Sequence, residues 1–154
     1  MDASYVSNIT EFAIVLAGFS GLVIAIGSQD GKSTPLTKHR TFCMLGLSFA
    51  AAFGSLLPTL ALSFGISNIW IFSSYGFSFI LLATVITLYL STRLLLNHEE
   101  RKKLRGYMYV LLIWINILLV VLLGLIPTAG LFFIALVWQL IVSAILFTRL
   151  ILQS

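Results

Sequence analysis

Charge is what this sequence has least of: only 9% of its 154 residues are Asp, Glu, Lys or Arg, while 60% are apolar. Soluble proteins carry about 25% charged residues, and a chain this short leaves much of its surface in water whatever fold it takes. An ordinary water-soluble domain is therefore excluded, and what remains is an integral membrane protein. A single cysteine, Cys43, rules out a disulfide framework within the chain and a multi-thiol metal site. The two histidines, His39 and His98, lie in or beside hydrophilic loops, where solvated side chains are expected. Two such ligands make no metal centre, so neither a metal nor another cofactor is expected.

What the chain does have is apolar runs. Those at residues 7–27, 42–62, 69–96, 107–126 and 131–152 suit the roughly 20 residues needed to cross a bilayer core. They predict a single all-α transmembrane domain over residues 1–154, built as a bundle of five helices. The first run has Asp2 and Glu11 but no Lys or Arg at its N-terminal flank, so it reads as a retained helix and not a secretory signal. Thr34-Pro35 reads as an N-cap followed by proline in the first turn, which starts the second helix near Pro35 on the aqueous side. Gly65-Ile66-Ser67-Asn68 and Pro127-Thr128-Ala129-Gly130 are uncharged turns, whereas residues 28–38 and 97–106 are hydrophilic loops.

With that division all nine basic residues fall on one side. Lys32, Lys38 and Arg40 lie around the first loop, Arg93, Arg101, Lys102, Lys103 and Arg105 around the second, and Arg149 near the C-terminus. A four-helix reading spoils this partition. The positive-inside rule then places the N-terminus outside and the C-terminus in the cytoplasm. Topology accounts for the net charge of +4, so no nucleic-acid partner is expected. The cluster of Arg101, Lys102, Lys103 and Arg105 also suits anionic lipid headgroups. Leu57-Pro58-Thr59 and Ile126-Pro127-Thr128 each precede a turn and a helix ending in Thr-Arg, at Arg93 and Arg149. This is either a duplicated hairpin or a shared compositional bias.

Charges inside hydrocarbon are costly and mark functional candidates. Glu11 lies one turn inside the first helix, and at 100° per residue it shares a stripe with Ser7, Ile14, Gly18, Gly21 and Ala25. Either this stripe lines a narrow path with Glu11 at its outer mouth, or Glu11 sits at the headgroup boundary or is paired in the bundle. Ala13, Ala17 and Ala25 in the first helix, and Gly46, Ala50 and Gly54 in the second, are small residues of the kind that let helices approach closely in membranes. Asn116 and Gln139 fall near mid-membrane at matching depth. An interhelical amide hydrogen bond is the first expectation for them; the alternative is that Asn116, Gln139 and Ser143 line a hydrated cavity. Trp114 and Trp138 are expected to fill the core.

Gly18-Phe19-Ser20-Gly21 resembles the Gly-x-Ser-Gly pattern of rhomboid intramembrane proteases over four residues. No intramembrane histidine accompanies Ser20, and nucleophilic catalysis needs a base within hydrogen-bond reach, so no enzyme is expected. More broadly, Glu11-Phe12-Ala13-x-x-Leu16-Ala17-Gly18-Phe19-Ser20-Gly21, Val137-Trp138-Gln139-Leu140 and Phe147-x-Arg149-Leu150 resemble small multi-pass proteins of bacterial inner membranes that have no known activity. The resemblance implies that location and no chemistry.

Two functions fit these observations. One is a homo-oligomeric channel or small-solute pore for cations, with the first helix close-packed or pore-facing. The other is a non-transporting scaffold or accessory subunit that binds another membrane protein within the bilayer. A pore needs polar atoms continuous across the membrane, while a scaffold needs complementary apolar faces.

Overall fold

The computed structural model describes residues 10–11, 14–18, 21, 34–104 and 107–153. The described residues are helical apart from short connections, with no strand among them. After the helical residues of the first segment come α1 (Pro35–Ser63), α2 (Ile69–Leu95), α3 (His98–Leu104), α4 (Tyr107–Leu125) and α5 (Ala129–Gln153). Three of these, α1, α2 and α5, are long and apolar enough to cross a membrane, and α4 is shorter.

Local chemistry sets the boundaries. The Thr34 side chain accepts a hydrogen bond from the Thr37 backbone N–H, and Pro35 opens α1 where a missing N–H costs nothing. At the other end Gly65 adopts φ +67°. The Gly65 N–H donates to the Leu62 carbonyl at 3.1 Å, and the Ile66 N–H to the Ala61 carbonyl at 3.0 Å. This pair of reversed bonds closes the helix with a left-handed residue that glycine tolerates best. The turn expected at Gly65-Ile66-Ser67-Asn68 is therefore a helix cap as well.

The second hydrophilic loop is more ordered than its composition suggests, because α3 forms inside it. Glu99 and Glu100 occupy its first turn, where the helix dipole favours negative charge. Glu100 also reaches back to accept the Asn97 backbone N–H at 3.1 Å, half of a capping box. Arg101 then donates to the carbonyls of Leu96 and Arg93 at 2.8 and 2.6 Å. Its guanidinium thus occupies the end of α2 in addition to facing the surface.

α1 is the centre of the bundle, packed along both α2 and α5. α4 lies chiefly against α2 and touches α5 little, so the two hairpins pack differently despite their similar sequences. One core joins the helices, with Phe77 and Phe132 edge-on at 5.4 Å among Leu81, Leu123, Ala135 and Leu136. Gly54 makes this possible: a Cβ there would collide with the Phe77 ring and lie 3.2 Å from Leu136 Cδ2. Ala50 is buried beside it, whereas Gly46 has only ordinary contact with Leu88. Leu16 of the first segment is buried against the same core, and Thr10 is hydrogen-bonded to Ser55 of α1.

Candidate functional site

The polar residues expected near mid-membrane are brought together in pairs. Gln139 is fully buried and donates from Nε2 to Asn116 Oδ1 at 2.6 Å. Asn116 in turn donates from Nδ2 to the Leu112 carbonyl at 2.8 Å. One turn along α5, the Ser143 hydroxyl donates to the Met44 carbonyl at 3.1 Å, which leaves its oxygen to accept from Ser48 at 2.5 Å. Buried polar groups in an apolar surround are costly unless paired, and these pairs tie α4 to α5 and α5 to α1.

The first segment faces the other way. Glu11, Ile14, Gly18 and Gly21 are all exposed, and a Cβ added at Gly18 or Gly21 would meet nothing within 4 Å. Ala17 is half-buried. The structure therefore does not bring Glu11 to Asn116, Gln139 and Ser143; they lie on the outside and inside of one bundle. Ser7, Ala13, Ala25 and Arg105 lie outside the residues described above. Lys102 and Lys103 are exposed on α3. Trp114 is exposed, contrary to the core position expected for it, because its face of α4 turns away from α2 and α5; Trp138 does pack against the core.

His39 corrects a second expectation. It is fully buried instead of solvated, because α1 begins at Pro35 and residue 39 is already one turn inside the helix, facing α2. Around it lie Ser91 Oγ at 3.3 Å from Nδ1, and Thr92 Oγ1 at 3.3 Å and Cys43 Sγ at 3.4 Å from Nε2. The proton positions follow by elimination. Ser91 and Thr92 both have the Leu88 carbonyl at 2.8 Å to donate to, and the Tyr109 hydroxyl donates to Thr92 at 2.6 Å. We accordingly assign the Nδ1–H tautomer, donating to Ser91 and accepting from the Cys43 thiol at Nε2. This hub pins α1, α2 and α4 together. The signal was present in the sequence, since His39 and Cys43 are four residues apart and share a helix face.

Where α4 and α5 part, a cavity of about 330 Å³ opens at the end of the bundle that carries the basic residues. Its walls include His39, Cys43 and Leu47 of α1, Leu88 of α2, Tyr109 and Leu112 of α4, and Trp138, Val142 and Leu146 of α5. Arg40, Lys103 and Arg149 also line it. Trp138, on the cavity's inner wall, is next in sequence to Gln139 of the Asn116–Gln139 bond. No family model, curated protein or solved structure matches this chain.

The described residues hold no cluster of His, Cys, Asp or Glu suited to a metal ion. The thiol–imidazole pair of Cys43 and His39 lies on α1 and is buried in the hub, with His39 reaching Ser91 and Thr92 of α2. Beside it the arrangement presents an outward face bearing Gly18 and Gly21 and a cavity of mixed basic and apolar lining.

Proposed function

We propose that this protein is a multi-pass inner-membrane bundle that works by recognition within the bilayer, as a non-transporting scaffold or accessory subunit. In this reading five helices cross the membrane, with the N-terminus outside and the basic end in the cytoplasm. At 1.5 Å per residue, the 19 residues of α4 reach about 28 Å, close to the roughly 30 Å hydrocarbon core, which favours counting it as a span.

The observation that carries the proposal is the pairing of mid-bundle polar side chains with one another. Gln139 is bonded to Asn116, and Ser48 to Ser143, where a conducting bundle would present them to water, although Gln139 Oε1 keeps no partner among the described residues. The core above them is filled by Phe77 and Phe132. The outward stripe of Gly18 and Gly21 offers a second protein a close approach.

That stripe also favours a second reading, a homo-oligomer with a cation path between copies. Glu11 is exposed on it, and a ring of carboxylates attracts cations. Purified protein reconstituted into liposomes separates the two. Recognition predicts potassium, sodium and proton flux no greater than in protein-free vesicles, and photocrosslinking in cells from position 18 or 21 to another membrane protein. Flux that Glu11→Gln lowers without changing assembly overturns it in favour of the pore.

A further inference from the structure

The basic end of the bundle closes on His39. The ring is fully buried, and its two nitrogens reach Ser91 and Thr92 of α2 and Cys43 of α1. Thr92 in turn holds α4 through the Tyr109 hydroxyl, and the rings of Tyr109 and His39 lie 6.5 Å apart. α4 packs chiefly on α2 and touches α5 little, so this chain of bonds is what ties its basic end to α1 and α2 among the described residues.

The chain of bonds suits a neutral imidazole. Nδ1–H donates to Ser91, and Nε2 accepts from the Cys43 thiol. A proton added at Nε2 would meet a sulfur, which is a weak acceptor, and a Thr92 oxygen that already accepts from Tyr109 and donates to the Leu88 carbonyl. It would also make the ring a buried cation, which is costly without a counter-charge. The titratable and charged groups around the ring are Arg40 and Cys43 of α1 and Tyr109 of α4, with Lys103 of α3 and Arg149 of α5 farther along the same cavity; α2 presents only the hydroxyls of Ser91 and Thr92. No Asp or Glu is among the described residues of this set. Because His39 and Tyr109 both border the cavity of about 330 Å³, parting of α4 from α2 gives the ring access to that space.

We propose that His39 is a proton switch: its protonation breaks the hub, the basic end of α4 moves away from α2, and the cavity that α4 walls widens. With the hub open, the imidazole titrates near the ordinary histidine value of about 6.5, while the closed hub holds the neutral ring. Opening therefore takes up a proton, so acid favours it. The closed state keeps its full stability above about pH 6.5 and loses it below, and the opening equilibrium rises about tenfold between pH 7.5 and pH 5.5. The switch is independent of whether the bundle recognises a protein or conducts between copies, because neither the first-segment stripe nor Glu11 contributes to it.

Amide hydrogen exchange of the protein in nanodiscs reads the opening. Corrected for the chemical exchange rate, the amides from Leu111 to Trp114 are expected to exchange about tenfold faster at pH 5.5 than at pH 7.5, while those from Phe77 to Leu81 in the core stay unchanged. His39→Gln keeps a donor and an acceptor but takes no proton, and should remove the acid response. Tyr109→Phe loses the bond to Thr92 and should speed exchange at both pH values while keeping their ratio. Nitrogen-15 spectra of the imidazole supply a readout that needs no change at position 39: with the exposed His98 replaced by Gln, the one remaining histidine should show the Nδ1–H tautomer at pH 7.5 and gain its second proton together with the faster exchange. No acid response in the wild type, an equal response in a folded His39→Gln protein, or protonation of His39 without faster exchange would each overturn the proposal.

Discussion

Gln139 donates to Asn116 across 2.6 Å, and that bond joins two helices that otherwise touch little. Its two ends are not equivalent. Asn116 keeps a second bond to the Leu112 carbonyl, whereas Gln139 Oε1 has no partner among the described residues. Replacing Asn116 by Leu therefore strands the whole Gln139 amide, while replacing Gln139 by Leu strands one acceptor. Asn116→Leu is expected to be the costlier change, by about 1–2 kcal/mol, and the double variant to recover part of that loss. Unfolding equilibria in mixed micelles measure all three.

Gly54 is expected to tolerate nothing larger. Gly54→Ala forces a methyl into the Phe77 ring and toward Leu136, and overpacking of this kind costs about 1–3 kcal/mol. Phe77→Leu in the same chain should restore part of it. Gly76→Ala is the control: its new methyl meets only the flexible end of Leu57, at 3.1 Å, and the cost should be smaller. Thermal unfolding in detergent distinguishes them.

Gly65 tests the helix cap separately from packing. Gly65→Ala imposes a left-handed conformation on an L side chain in open space, at about 1 kcal/mol. Gly65→Asn should cost less, since asparagine enters this region more readily. A similar loss from both variants would argue against a conformational origin.

His39 should control access to Cys43. The thiol is buried and within 3.4 Å of the imidazole, so a water-soluble maleimide should modify the wild type slowly. His39→Ala removes a wall of the adjoining cavity and the acceptor of the thiol proton, and should accelerate labelling, followed by mass shift. The same variant should lower stability by about 2–3 kcal/mol through loss of the buried side chain and its hydrogen bonds. Rapid labelling of the wild type would contradict the assigned hub.

The sequence by itself determined that the chain is helical and built for a membrane, and it located α1, α2, α4 and α5 closely. Apolar run length and turn chemistry are local properties, so Thr34-Pro35 and Gly65 could be read as boundaries without knowing any neighbour. The matching depth of Asn116 and Gln139 was legible for the same reason, because rise per residue fixes depth along a helix. Which face of each helix meets which neighbour was not legible. In an apolar chain the hydrophobic pattern distinguishes inside from outside poorly, since lipid and core are alike in polarity. Only the tertiary structure decided that Trp114 turns outward, that His39 is buried against α2, that Gly54 receives Phe77, and that α4 parts from α5. That last decision, made by shape complementarity among many apolar side chains, opens the basic-lined cavity, whose walls come from residues more than 100 positions apart.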